Sequence, residues 1–165
     1  MTPTFEKRVP KGDDRVRDVC AACGFVAYDN PKIVVGAVVH YGASVLLCRR
    51  AIEPSRGLWT IPAGYMEHGE TPDDGARREA HEEAAARIVI DGLLAVYAIT
   101  RIGQVQLIYR AHLASPAFAP GPETLELGLF APDEIPWDDL AFPTVRWALT
   151  QAPEPGGPFG NMAPA

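Results

Sequence analysis

Glu79, Glu82 and Glu83 stand at i, i+3 and i+4. On a helix that spacing places three carboxylates on one face, a few ångströms apart. Like charges so placed destabilise a bare helix. A hard divalent cation such as Mg²⁺ takes carboxylate oxygens as ligands and would remove that cost. The local sequence supports the helix. Thr71 can cap it, Pro72 suits its first turn, and Asp73 and Asp74 favour its positive end. Ala76, Ala80 and Ala84 recur every four residues and allow close approach to a sheet. The same glutamates could belong to an ordinary capped helix with a solvated acidic face, so the flanking residues decide between the readings.

Upstream lies Gly64-Tyr-Met-Glu-His-Gly-Glu70. Seven residues later comes Arg78-Glu79-Ala80-His81-Glu82-Glu83-Ala84-Ala85-Ala86. The segment resembles the Nudix box, G-x5-E-x7-R-E-U-x-E-E-x-G-U, with U bulky and apolar. The leading glycine and every charged position match. Ala85 stands where the family has glycine, and Ala80 and Ala86 are small for U positions. The lead-in Gly57-Leu58-Trp59-Thr60-Ile61-Pro62-Ala63 is also similar to the family's. A match at six spaced positions with this lead-in is far more specific than a lone glycine motif.

The chain has 165 residues, 47% hydrophobic, with a net charge of −6. That length suits one domain with a real core. The acidic balance argues against duplex nucleic acid as a partner. No apolar run is long enough to span a membrane and Met1 to Arg8 hold no export signal, so a cytoplasmic protein is expected. Cys48 lies in an apolar run and reads as a buried thiol.

Residues 1–18 are polar and read as loosely ordered. Ile33 to Val39 is a buried-strand run, and a turn at Tyr41-Gly42-Ala43 leads to a strand from Ser44 to Arg49. A loop and the box helix follow. Leu93 to Thr100 and Gln104 to Leu113 form a hairpin, Leu125 to Phe130 a further strand, and a last helix runs from Pro143 to about Gln151. The order β-β-α-β-β-β-α suits a layered α/β domain. The resemblance narrows this to a Nudix-type α/β/α sandwich with a mixed β-sheet. The expected domains are an N-terminal extension with half a zinc ribbon over 1–31, a Nudix domain over 32–152, and a disordered Pro/Gly-rich tail over 153–165.

Pro10 to Arg15, Val19-Cys20-Ala21-Ala22-Cys23-Gly24 and Tyr28 to Lys32 look like a Nudix subfamily with an N-terminal zinc ribbon. Its members carry a second Cys-x-x-Cys upstream; Phe5 to Pro10 have none. A structural zinc site needs four ligands. The alternatives are no metal, a Zn²⁺ shared across a homodimer, or a distant ligand such as His40. The expectation is two free thiols and no Zn²⁺.

The resemblance implies hydrolysis of a nucleoside diphosphate linked to another group, with Mg²⁺, or Mn²⁺ in its place, as cofactor. It assigns metal binding to Glu79, Glu82, Glu83 and the Ala63 carbonyl. Gly64, Glu70 and Arg78 are structural in the motif. The general base is Glu82 or Glu79 within the box, or Glu126 downstream with Glu123 as the alternative; Glu67 could touch a second metal. Arg49, Gln104 and Gln106 are candidates for substrate binding, and Phe25, Tyr28, Tyr97 and Tyr109 for stacking on a base. The N-terminal similarity points to FAD or ADP-ribose. The Ser-Gln-Pro-Trp-Pro-Phe-Pro signature of NADH pyrophosphatases is absent; only Ala141-Phe142-Pro143 stands in its place. The alternatives are a nucleoside triphosphate pyrophosphohydrolase and a non-catalytic nucleotide-sensing module. The three intact glutamates favour an enzyme.

Overall fold

The computed structural model describes residues 2–162. They fall into two compact units, one ending at Pro31 and one starting at Lys32. The smaller unit is an antiparallel sheet of β1 (Phe5–Arg8), β2 (Arg17–Cys20) and β3 (Val26–Ala27), in that order. Residues 2–18 are thus more ordered than the sequence suggests. All four residues of β1 are exposed, so no hydrophobic alternation announces the strand. Backbone pairing holds it, from Phe5 opposite Cys20 to Arg8 opposite Arg17. Gly24 N–H donates to Cys20 O (2.9 Å) and Cys20 N–H to Phe25 O (2.8 Å), closing the turn that bears the cysteine pair. Cys20 is buried and Cys23 is exposed, and neither forms a disulfide.

The larger unit holds β4 (Lys32–Tyr41), β5 (Ser44–Arg50), β6 (Trp59–Thr60), β7 (Ala63–Tyr65), α1 (Pro72–Ala84), β8 (Ile88–Ile99), β9 (Gln104–Leu113), β10 (Thr124–Phe130) and α2 (Pro143–Gln151). The main sheet runs β10-β5-β4-β9-β8. Its central pair, β4 and β9, is parallel and the other neighbours are antiparallel, so the sheet is mixed. Alternation along the strands sorts the core into two layers. Val38, Leu47 and Tyr97 pack with Val145, Ala148 and Leu149 of α2. Ala37, Val39, Leu46 and Cys48 pack with Ala80 and Ala84 of α1. The α/β/α sandwich is therefore present, with Cys48 buried as expected.

Within the larger unit two strands are missed by the sequence pattern and one is shortened. β6 and β7 have two and three residues and flank Pro62, so they read as loop. β8 starts at Ile88 rather than Leu93, because irregularities at Ile90/Gly92 and Leu93/Ala95 break its alternation. The tail also differs from expectation over its described part. Phe159 N–H donates to Leu94 O (2.8 Å) and Val96 N–H to Phe159 O (2.9 Å), so the segment lies along the outer edge of β8. Backbone pairing and one aromatic anchor order a segment whose composition reads as disordered. Residues 163–165 lie outside the described residues. Among the described residues no helix is long and apolar enough to cross a membrane.

Helix α1 begins as the sequence implies, with Asp74 N–H donating to Thr71 Oγ1 at 3.3 Å. Ala76, Ala80 and Ala84 are fully buried, so small side chains let the helix sit close to the sheet. Its exit turns at Ala85, which adopts φ 47° and ψ 21°. That left-handed conformation costs an L-residue roughly 1 kcal/mol or more, and glycine almost nothing. Ala85→Gly is expected to stabilise the protein by about 0.5–1 kcal/mol despite the added freedom of the unfolded chain. A thermal unfolding midpoint raised by a few degrees checks it.

Candidate active site

The sheet opens between β4 and β5. These strands pair only at His40–Val45 and Tyr41–Ser44, beside their turn. Further along, β6 pairs with β5 and β7 with β4, so the short strands wedge the two apart. A cavity of about 1420 Å³ lies on the α2 face, lined by Val34, Gln106 and Ile108 of the sheet. It is also lined by Glu79, Glu82 and Glu83 of α1, which packs on the opposite face. The wedge is what lets α1 carboxylates reach this side. Gly64 keeps the passage clear: a Cβ there would land on the Glu79 carboxylate. This is the physical reason for a glycine at the head of the motif.

One guanidinium organises the acidic residues. Arg78 makes a two-pronged contact with Glu70, Nε to Oε2 and Nη2 to Oε1, both at 2.9 Å. Its Nη1 donates to Glu79 Oε1 (2.7 Å) and Glu82 Oε2 (3.0 Å), and its Nη2 to the Tyr65 carbonyl (3.0 Å). Glu70 also accepts from the Glu67 N–H at 2.7 Å, which braces the loop before α1. These contacts raise Arg78 further above its ordinary range and hold Glu70 down to about 2.

Glu83 is the exception. Its Oε2 is buried and has no hydrogen-bond partner. Burial, with Glu79 and Glu123 nearby, pushes its carboxyl up to about 8; the Ala63 backbone N–H and Arg50 oppose this only in part. Burial also raises Glu79, against the pull of Arg78. A buried, unpartnered carboxylate is costly. Hard cations bind such oxygens, so the donors here fit a divalent ion. Among the described residues no three acidic, histidine or cysteine side chains already form a closed cage. Arg78 holds one oxygen each of Glu79 and Glu82.

The loop after β9 is tied to the end of α1. Ala119 N–H donates to Ala84 O (2.8 Å) and Gly121 N–H to Glu83 O (3.0 Å), satisfying orphan helix carbonyls. A Cβ on Gly121 would strike the Glu82 carbonyl oxygen. This docking brings Glu123 to the cavity wall. Glu126 is not among the lining residues; it pairs with Arg49 at 3.2 Å, and Arg49 Nε donates to Gly57 O. The neighbouring Arg50 faces the cavity instead of Arg49. Glu126 stands opposite Arg49 in the register of β10 with β5, so the two side chains pair with each other and neither lines the cavity.

Gln104 and Gln106 do line the cavity, with Gln104 Nε2 bonded to the Tyr65 hydroxyl at 3.1 Å. Glu67 lines it too. The four proposed aromatics do not. Tyr97 is fully buried and donates to Gln151 Oε1 at 2.6 Å, Tyr109 packs in the layer beneath α1, and Phe25 and Tyr28 belong to the smaller unit. The aromatic lining comes from Tyr65, Trp137, Phe142 and Trp147, joined by Arg101 and Arg146. Sequence reasoning missed these because they come from the end of a three-residue strand, a single turn near Trp137, and the cap and middle of α2, so no one periodicity marks a shared surface. The Pro143 helix start next to Phe142 was the available signal.

Residues 30–148 match the model of the NUDIX domain, and residues 2–29 match that described as Nudix N-terminal. The chain belongs to the Nudix family. A Nudix hydrolase of known structure from Nitrosomonas europaea is 43% identical, covers 96% of this chain and 93% of its own, and superimposes with a TM-score of 0.90. A MutT-like protein from Streptomyces ambofaciens is 34% identical over 102 residues, 62% of this chain and 64% of the relative. An ADP-ribose pyrophosphatase from Methanocaldococcus jannaschii is 30% identical over 93 residues, 56% and 53% of the two chains. The chain thus spans between half and two thirds of these curated relatives. In this Nudix domain the glycine, arginine and glutamates of the motif all meet at one end of the cavity.

Glu70 lies near 2 in the folded protein against an ordinary value near 4.5. Its pairing with Arg78 therefore contributes stability that is complete above about pH 4.5 and lost as pH falls toward 2. Glu70→Gln is expected to be less stable than the parent at neutral pH and to show a shallower loss between pH 4.5 and 2. Urea unfolding across that window checks both.

Proposed function

We propose that the protein hydrolyses the diphosphate linkage of a nucleoside diphosphate derivative, with Mg²⁺ or Mn²⁺ as cofactor. ADP-ribose and FAD are the substrates to test first. The observation that carries this reading is the buried, unpartnered Glu83 Oε2 beside Glu79 on the wall of a large cavity. Glu79, Glu82, Glu83 and the Ala63 carbonyl would hold the cation. When bound, it neutralises diphosphate charge and acidifies the attacking water.

The chain's own residues supply the rest. Arg78 fixes Glu79 and Glu82 on the cavity-facing side of α1. Glu123, held by the docked loop, takes the proton-accepting role that the sequence suggests for Glu126; Glu82 is the candidate within the helix. Arg50, Arg101 and Arg146 offer positive charge to the phosphates. Trp147 of α2 offers a flat apolar face to a base. The similarity to the Methanocaldococcus ADP-ribose pyrophosphatase supports ADP-ribose.

The test is a panel of ADP-ribose, FAD, NADH, diadenosine polyphosphates and nucleoside triphosphates, with products identified by mass. AMP plus ribose 5-phosphate or FMN is expected, and EDTA should abolish it. Rapid cleavage of triphosphates alone would replace this reading with a triphosphatase. Tight nucleotide binding with no cleavage would replace it with a sensing module. Glu83→Gln keeps the side-chain shape but removes the charge a cation needs. It is expected to lower kcat by about 10³-fold or more with the fold intact by circular dichroism.

A further inference from the structure

The tail following α2 does more than cover an edge. Arg110 of β9 grips it through three carbonyls: Nε to Ala152 O (3.3 Å), Nη1 to Gly156 O (2.9 Å) and Nη2 to Glu154 O (2.7 Å). The same guanidinium lies over an aromatic face, 5.7 Å from the centroid of Phe159. Asn161 then acts as a strand residue through its side chain. Its Nδ2 donates to Ala98 O and its Oδ1 accepts from Ala98 N–H, both at 2.9 Å. Gln151 Nε2 of α2 holds Gly160 O at 3.1 Å. The next residue, Met162, reaches the cavity wall.

The registers say where on the wall it stands. Tyr65 of β7 is opposite Val34 of β4, Val34 is opposite Gln106 of β9, and β9 is paired with β8, where Gln104 faces Ile99. Tyr65, Val34, Gln104, Gln106, Ile99 and Met162 all line the cavity. The tail, on the outer edge of β8, is therefore four strand positions from β7, roughly 19 Å along the sheet at about 4.8 Å per strand. The carboxylates stand at the β7 end, where Gly64 meets Glu79. Met162 closes the far end, together with Ile99 and Trp147. A thioether and a branched alkyl group offer little to sugar hydroxyls, and with the indole face they suit the faces and edges of a flat heteroaromatic ring.

We infer that the C-terminal segment completes the nucleobase pocket and that Met162 is a specificity-determining residue that touches the purine of the substrate. This rests on the proposed diphosphate hydrolysis and adds to it the part of the chain that selects the base. The larger purine ring reaches Met162 and a pyrimidine falls short of it.

Methyl-¹³C methionine NMR on the wild-type protein gives the direct readout, with the Met162 signal assigned through Met162→Leu. Saturation with α,β-methylene-ADP-ribose is expected to shift that signal. Steady-state kinetics of Met162→Ala give the second. The preference for ADP-ribose over UDP-ribose, as a ratio of kcat/KM, is expected to fall roughly tenfold, with UDP-ribose turnover within about twofold of wild type. Equal losses for both substrates would reduce Met162 to a structural role and overturn the inference. So would an unmoved Met162 signal when Trp fluorescence shows the analogue bound. In either case wild-type hydrolysis would leave the proposed function standing. Failure of the wild-type enzyme to bind or cut any diphosphate would sink the function and this inference together.

Discussion

The site depends on a single arginine. Arg78 is the one cation in direct contact with Glu70, Glu79 and Glu82 among the described residues, and it also takes the Tyr65 carbonyl. It thereby joins the loop before the helix, the wedge strand and two turns of the helix itself. Without it, three carboxylates would face each other with no opposing charge. A lysine could not replace it, because one ammonium cannot make the two-pronged contact with Glu70 and still reach the others. Removing one partner from such a network costs several times more than a surface ion pair is worth, on the order of 3 kcal/mol where the group is largely covered.

The second requirement is a gap in the sheet. A continuous β4–β5 ladder would wall the α1 carboxylates off from the α2 face. The β6–β7 wedge replaces that ladder with two short ones and leaves space between them. Gly36 and Gly64 mark the tight points. A Cβ on Gly36 would collide with Ala63, and one on Gly64 with the Glu79 carboxylate. Alanine at 76, 80 and 84 is the complementary feature on the helix, because a larger side chain would push α1 off the sheet and withdraw its glutamates.

The parts of this design that were legible in the sequence are those encoded by spacing. Glu79, Glu82, Glu83, Arg78 and Gly64 are near one another in the chain, so helix geometry alone brings them together. The two-layer core was legible for the same reason, from Ile33–Val39 and Ser44–Arg49. What escaped depends on long-range register. Arg49 and Arg50 are adjacent, and only the pairing of β5 with β10 decides which one faces the cavity. Glu123 and Glu126 differ likewise, and only the docking of Gly121 on the end of α1 separates them. The strand β1 and the tail were hidden because backbone pairing, not apolar side chains, orders them.

The parallel pairing of β4 with β9 has a consequence for how the chain reaches this state. Lys32 lies opposite Gln104, and the wedge, α1 and β8 all fall between them in sequence. The sheet's centre therefore cannot close until that whole stretch has been made and drawn into a loop, at an entropic cost no local contact repays. On the ribosome, β4 and β5 emerge as an apolar hairpin with its inner neighbour still missing. The helix that emerges next can cover one face of that hairpin with Ala80 and Ala84 before the strand that completes the sheet's centre is made.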